Sequence, residues 1–521
     1  MKKGLLLAVL FVLAGSLRLN GLWSRPLWTD EFYTFFQATG HGKELEALLK
    51  APLHRHTPPF LRAKAFKSFL RNDPAKGIKE VTAGILETDT HPPFYFWVMH
   101  YWLKAFGSSA ASARLFSFCC AMLALMLFYQ AAKMLFDKEA GYFSFLFAGA
   151  SAFAVRYAQE ARSYSLVLLL ILLSAVFLLR FERNGSWKAL IGFAATACLG
   201  VCAHYFYAFL MVAYFIYFTF AHAADTRMLR AFYAGFLCSL LGVSFWTWPL
   251  IARGYDFSKV EWIFGYPGAF TKLLDFFYGL GRYLFISDGA FPGRLLFICL
   301  LLASAWVVVF SLKPFLARLQ SRAGFLCLLM FLVPLVSMLL IDLLQKGALL
   351  RQERFWMFAF PGFVLIVGMM LSLPFRQRGC AIGALFLLMS FSSLGVGRVD
   401  FGPVPQEACA WIKEKSGSAE TAVFIYNIRS AVISQASCLA DEVFLVPVKD
   451  PEQLTNAFSE AGKRGIERVF VSCFYHRTGS ELMNQRFVEQ AEDYAGRFLL
   501  KEEFKTKDIR VQEYEDTHRP L

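Results

Sequence analysis

The chain has 521 residues, of which 57% are apolar and only 18% charged, with 57 phenylalanines and a mean hydropathy of +0.46. A soluble domain runs nearer about one-half apolar and one-quarter charged, so an ordinary globular protein is excluded, as are disordered, fibrous and disulfide-scaffold classes. The net charge of +14 requires no nucleic-acid partner, because a polytopic membrane protein gathers Lys and Arg in its cytoplasmic loops.

Met1-Lys2-Lys3 followed by the apolar run Gly4 to Ala14 has the form of a signal peptide, with Ala14-Gly15-Ser16 a weak cleavage site. It reads as an uncleaved first span whose two lysines hold that end in the cytoplasm. Further spans are expected at 110–134, 140–158, 163–180, 189–205, 206–222, 231–250, 294–312, 323–343, 355–374 and 379–396, eleven in all. Charge parity supports the count. The loops it makes cytoplasmic carry Lys133 and Lys138; Arg180, Arg183 and Lys188; Arg227 and Arg230; Lys313, Arg318 and Arg322; Arg376 and Arg378, against Asp137, Glu139, Glu182 and Asp225. The stretch Phe94 to Phe106 is interrupted by His100 and Lys104 and is too short to span. Counting it would put every later basic loop outside, so it reads as an interfacial helix.

The expected fold class is thus a polytopic α-helical membrane protein with a transmembrane module over 1–397. Its outer loops are 23–109, with interfacial helices, and 251–293. A small extracytoplasmic α/β domain follows over 398–521. In that tail, β-rich runs at 421–428, 442–448, 468–475, 497–504 and 509–514 alternate with amphipathic stretches at 405–416, 450–463 and 478–494, a pattern of parallel strands with crossover helices. Most of the 11 cysteines lie in apolar runs without ligand spacing. Only Cys409, Cys438 and Cys473 lie in the tail, enough for one disulfide and one free thiol.

Chemistry is sought where parity places polar groups at the outer face. Trp28-Thr29-Asp30-Glu31 sets two carboxylates just beyond the first span, where one can take a proton from an attacking hydroxyl or amine. Asp89-Thr90-His91-Pro92-Pro93-Phe94-Tyr95 holds Asp89 and His91 in an extended entry fixed by two prolines. Leu61 to Arg71 interleaves Leu61, Phe66, Phe69 and Leu70 with Arg62, Lys64, Lys67 and Arg71, as a membrane-surface helix would. The turn from Arg156 through Tyr157, Gln159, Glu160 and Arg162 to Tyr164, the pair His204-Tyr205, and Arg351 to Phe355 complete the set. Arg and His in such number favour a phosphate-bearing lipid ligand, although Glu160 with Arg162 and Glu353 with Arg354 are also suited to pair as neighbours.

The acidic pair after the first span, the Asp-x-His-Pro-Pro-Phe-Tyr segment, Arg114 within Ala113-Arg114-Leu115, and the Tyr157-Ala158-Gln159-Glu160-Ala161-Arg162-Ser163-Tyr164 turn together resemble the GT-C glycosyltransferases. More narrowly they are similar to the protein O-mannosyltransferase and lipid A aminoarabinose transferase group, which uses polyprenyl-phosphate sugars. The resemblance is strong over 15–180 and diffuse over 181–396, where Glu353-Arg354-Phe355 to Pro361 alone fits the family pattern. It implies inverting transfer from a polyprenyl-phosphate-linked sugar to an extracytoplasmic acceptor, with membrane lipids as further partners and no nucleic acid. Asp30 matches the family's first acidic position and becomes the expected base, with Glu31 orienting the acceptor or contributing to a cation site. His91 stands where the aminoarabinose transferases carry Lys, which implies a phosphate contact by a charged or metal-bound imidazole. A divalent cation held by Glu31, Asp89 and His91 is therefore left open. Arg114, Arg162 and Arg354 are assigned to the donor phosphate, and Asp89, Glu160, Tyr164 and His204 to its support.

A secondary transporter or lipid flippase is the rival class. It requires two related halves with Gly- or Pro-broken spans and ionisable groups at mid-bilayer, and the spans here are nearly charge-free between their ends, with Asp342 close to one end. The topology is checked by labelling single introduced cysteines with an impermeant reagent. Positions in 40–80 and 480–490 should react from outside and positions in 182–188 should not, and the reverse pattern would overturn the placement of the site.

Overall fold

The computed structural model describes residues 2–23, 25, 27–50, 58–253, 279, 283, 313–373, 406–426, 438–448, 450–474, 491–496, 498–505 and 509–517. Contacts divide the chain into one unit of Met1–Ser24, Thr90–Val98 and Ala111–Val399, and a second of Arg25–Asp89, Met99–Ala110 and Asp400–Leu521.

The first unit is helical because its apolar runs leave the backbone no partner but itself. Among the described residues, Ala110–Leu135, Tyr164–Asn184, Thr226–Pro249 and Arg322–Gln345 are long and apolar enough to cross a membrane, and Leu7–Leu19, Trp187–Ala203, Tyr207–Ala221 and Phe360–Leu371 are shorter apolar helices. Helix stops follow the local chemistry. Gly185 adopts φ 59° directly after Asn184, the left-handed geometry that closes a helix and that glycine takes without strain.

The span expected over 140–158 is broken into helices Lys138–Ala150 and Ala152–Ala158. Ser151 sits at the break, and its hydroxyl accepts from Ala154 N–H and donates to the Tyr283 carbonyl. A polar residue that caps a new helix ends the old one, which an apolar run does not reveal. The spans expected at 294–312 and 379–396 lie outside the described residues, as does the loop 251–293 except for a few positions.

The second unit is built on a six-stranded sheet, β1 (Leu61–Arg62), β2 (Thr421–Tyr426), β3 (Phe444–Val448), β4 (Arg468–Phe474), β5 (Phe498–Lys505) and β6 (Ile509–Asp516), in the order β1-β3-β2-β4-β6-β5. β2 runs parallel to β3 and β4, whereas β1, β6 and β5 are added antiparallel. The helix Pro451–Lys463 connects β3 to β4; Asp450 accepts from Gln453 N–H at its start, and Leu454, Ala457, Phe458 and Ala461 pack on one sheet face. The expected stretch 478–494 is described only at its end, the short turn Ala491–Tyr494.

The expected boundary at 397/398 does not separate the outer loop from the tail. Phe32, Phe36, Leu45 and Phe66 from the loop share one buried cluster with Ile412, Val423, Leu445 and Phe470. Leu61 to Arg71, read as a membrane-surface helix, instead supplies β1 and the helix Ala63–Ser68. Arg62 donates to the Glu442 carbonyl and carboxylate at 3.0 and 2.9 Å, and Lys67 to the Leu439 carbonyl and Asp441, both at 2.7 Å. An amphipathic segment looks the same whether it covers lipid or a protein core. Cys409 and Cys438 are joined with Cα atoms 6.0 Å apart across 29 residues, and Cys473 is buried and takes no part in a disulfide. Closing a loop of that length is worth roughly 3–4 kcal/mol in the chain-entropy account.

Among the described residues of this unit, His41 and His100 are buried. His41 contacts the Thr39 hydroxyl through Nδ1 at 3.0 Å, and His100 Nδ1 donates to the Ala38 carbonyl at 2.7 Å. Burial holds both below the ordinary histidine value; for His41, Lys76 lowers it further and Glu44 and Asp73 oppose, and for His100, Lys104 lowers it and the Ala38 carbonyl opposes. The unfolded chain therefore takes up protons first. Stability from keeping them neutral is full above an unfolded value of 6.5 and is lost as pH falls through the lower folded values. Melting temperature of the full chain should drop on acidification from about pH 8 to pH 5, and His100→Asn should flatten that limb; an unchanged slope would remove His100 from the account.

Candidate active site

Asp30 and Glu31 open the helix Thr29–Ala38, and they are not equivalent. Glu31 is buried at the third helical position, and its Oε2 accepts from the backbone N–H of Trp28, the residue before the helix, at 3.3 Å. That is a capping bond. Asp30 is half-buried, and both carboxylates lie in the first turn, where the helix dipole favours negative charge. Later residues of the helix explain its position: Phe32 and Phe36 enter the core shared with the tail, and Gln37 Nε2 donates to the Thr88 hydroxyl at 2.8 Å. Asp89 follows the helix Ile78–Thr88 at its C-terminal end, where the dipole does not favour an acid.

The basic residues belong to the other unit. Pro92 and Pro93 end the entry to the helix Phe94–Phe106 and leave His91 just before it. Its ring lies edge-on to Phe96 at 6.4 Å and to His204 at 5.9 Å. Arg162 sits in the turn between the helices Ala152–Ala158 and Tyr164–Asn184, where its own N–H donates to the Glu160 carbonyl at 2.8 Å. Its buried guanidinium reaches His91 Nε2 through Nη2 at 3.2 Å.

His204 ends the helix Trp187–Ala203. Its Nδ1 accepts from Phe206 N–H at 3.2 Å, so Nε2 carries the proton. That Nε2 is buried and finds no hydrogen-bond partner among the described residues. The aromatic rings of Tyr164, Phe206, Phe355 and Phe358 surround it at 4.8 to 6.1 Å for three of them and 6.3 Å for Phe355. His91, Arg162 and Arg354 all lie close enough to bear on its charge. The cluster therefore gathers two guanidinium groups and an uncommitted imidazole N–H in a low-dielectric wall, an arrangement matched to an anion.

Other expected members have different positions. Arg114, fully buried on the helix Ala110–Leu135, donates to the Leu22 carbonyl at 3.1 Å and so ties down the end of the first helix. Glu353 pairs with a residue distant in sequence: its Oε2 accepts from Arg156 Nη1 at 2.6 Å. Buried Glu160 bears on the same Arg156, and Tyr164 packs on Tyr157 and His204.

No three His, Cys, Asp or Glu side chains gather to hold a metal ion among the described residues. Of the three expected to do so, Glu31 spends an oxygen on its helix cap and His91 spends Nε2 on Arg162.

Sequence reading gave no such role to the residues that fix this geometry. Arg18, buried in the first helix, donates to the carbonyls of Ala14, Gly149 and Ala148 at 2.8 to 3.0 Å. Gln159 Nε2 donates to the Leu17 and Asn20 carbonyls at 3.2 and 2.9 Å. Asp342 accepts from Leu349 and Leu350 N–H at 2.7 and 3.0 Å and holds the segment leading to Arg354.

Residues 90–248 match the family model described as dolichyl-phosphate-mannose-protein mannosyltransferase, a span that contains His91, Arg114, Arg162 and His204. No curated protein sequence matches the chain. The fold is similar to ArnT from Cupriavidus metallidurans bound to undecaprenyl phosphate, with a TM-score of 0.56 and 12% identity over 97% of each chain. The apo form of that protein gives 0.51 and 12% identity, covering 90% of this chain and 96% of ArnT. The chain is thus similar to this family over residues 90–248 and to ArnT in fold, and it is an integral membrane protein.

The Arg156–Glu353 pair anchors the turn bearing Arg354 and is mostly buried on both sides. Glu353→Gln leaves a buried guanidinium with a weaker partner and should cost roughly 1–3 kcal/mol. Denaturation of the full chain in detergent measures it, and a loss below about 0.5 kcal/mol, the usual surface range, would show that the pair holds nothing.

Proposed function

We propose that the chain is a glycosyltransferase that moves a sugar from a polyprenyl-phosphate donor to an extracytoplasmic acceptor. The observation that carries the reading is the cluster of buried Arg162, half-buried Arg354 and the uncommitted His204 N–H, which offers donors and positive charge at one place. A polyprenyl phosphate leaves as an anion, so the principal electrostatic demand of the reaction is to stabilise phosphate charge. ArnT, whose fold is similar, is a protein solved with undecaprenyl phosphate, and that lipid is the natural first ligand to try.

The second demand is a base. Asp30 is the assignment, half-buried at a helix N-terminus while Glu31 serves as the cap. The acceptor hydroxyl or amine attacks the anomeric carbon opposite the phosphate, its proton passes to the Asp30 carboxylate, and the configuration inverts. Asp89, Glu160 and Tyr164 support the site. The reading places it on the outer side of the cytoplasmic membrane, in a chain of eleven spans with an exported C-terminal α/β region. Lipid A, a protein hydroxyl or a surface glycan serves as acceptor, and hexosyl and pentosyl donors both fit. The transporter reading lacks comparable support, because Asp342 is spent on two backbone N–H groups.

Purified wild-type and Asp30→Asn protein are compared on a panel of polyprenyl-phosphate sugars in a native membrane extract, with donor loss and product followed by mass spectrometry. The variant should lose transfer by about 10²- to 10⁴-fold, the usual worth of a general base, and still bind undecaprenyl phosphate. Retained turnover would remove Asp30 from the mechanism.

A further inference from the structure

The contact between His91 and Arg162 has only one chemically possible direction. A guanidinium carries N–H groups and no lone pair, so it donates in every hydrogen bond it makes. Arg162 Nη2 lies 3.2 Å from His91 Nε2, and Nε2 must therefore accept. An imidazole that accepts at Nε2 carries its proton on Nδ1 and brings no charge through that contact. The rings of Phe96 and His204 flank it edge-on at 6.4 and 5.9 Å. Arg162 is itself 4% exposed and fixed in a tight turn whose N–H donates to Glu160.

We infer that His91 acts on the donor phosphate through Arg162, as a positioning residue whose lone pair aims the guanidinium, and is not itself a cationic ligand of the phosphate. The inference deepens the function proposed above and rests on reading this cluster as the phosphate site. Its physical content is a sign. The useful property of residue 91 is an acceptor at the reach of Nε2, and a positive charge there works against Arg162.

Affinity for undecaprenyl phosphate is measured with the full chain in lipid nanodiscs. His91→Gln keeps an acceptor oxygen at similar reach and should stay within about threefold of wild type, whereas His91→Asn is too short and should lose about tenfold, the scale of one oriented hydrogen bond to a charged group. His91→Lys sets an ammonium against the guanidinium and should lose at least as much. In an Arg162→Gln background the order should reverse, with His91→Lys binding more tightly than His91. The neutral Gln and Asn pair decides the matter even where Lys at 91 perturbs folding. Gln and Asn equally defective, with Lys binding as well as wild type, would overturn the assignment and make residue 91 a direct cationic ligand. Failure of the wild-type chain to bind undecaprenyl phosphate, with a control lipid-phosphate protein active in the same discs, would overturn the proposed function and this assignment together.

Discussion

A carbonyl at the end of a helix inside a bilayer has no water to accept from, and the cost of leaving it unmatched is several kcal/mol. The helical unit meets that demand with side chains from other helices. Arg18 covers Ala148 and Gly149 at the end of one helix, Gln159 covers Leu17 and Asn20 at the end of another, and Arg114 covers Leu22 beyond it. Each tie crosses between elements far apart in sequence, so closing the helix ends also fixes how the helices meet. Two of the three are charged groups drawn away from solvent, and they persist because carbonyl dipoles at helix C-termini face them.

The geometry of the anion-suited cluster is a by-product of these closures. The turn that Gln159 anchors carries Arg162 three residues later, and the segment that Asp342 holds by Leu349 and Leu350 leads into Glu353, Arg354, Phe355 and Phe358. Trp356 extends the same chain of bonds, donating to the Leu350 carbonyl while its own carbonyl accepts from Tyr283. The side chains proposed to meet the donor phosphate are thus carried on short irregular segments whose ends are pinned, an arrangement that gives precision without lengthening a helix into the site.

Much of this was legible in residue order. Apolar runs, loop charge and the tail's alternation located most described helices and strands, because burial in lipid and pairing in a sheet each leave a period in the sequence. The acidic pair and the Arg-His motifs were visible too. Their roles were not, since Glu31 and Asp30 differ only in which one the helix start uses, and a contact such as Arg156 to Glu353 joins residues 197 apart in sequence. Arg18 and Gln159 went unread because a polar residue near a span's end looks the same whether it faces water or a carbonyl. The segment 61–71 was assigned to lipid for a related reason: amphipathicity reports that one face is covered and not by what.

The pairing of β1 with β3 has a consequence for how the protein is made. Arg62 and Glu442 are 380 residues apart, yet the short strand at Leu61–Arg62 has its only sheet partner at Phe444–Leu445 among the described residues. Synthesis runs from the N-terminus, so the segment bearing Asp30 emerges long before the strands and the core that hold it exist. During that interval Phe32, Phe36 and Phe66 have no cluster to enter. They are surfaces for a chaperone or a protease. A ribosome stalled late in the message, or a frameshift that costs only the tail, would therefore yield a chain with its helices inserted and the segment bearing Asp30 unfolded, a defect that quality control reads at the opposite end of the sequence from the lesion.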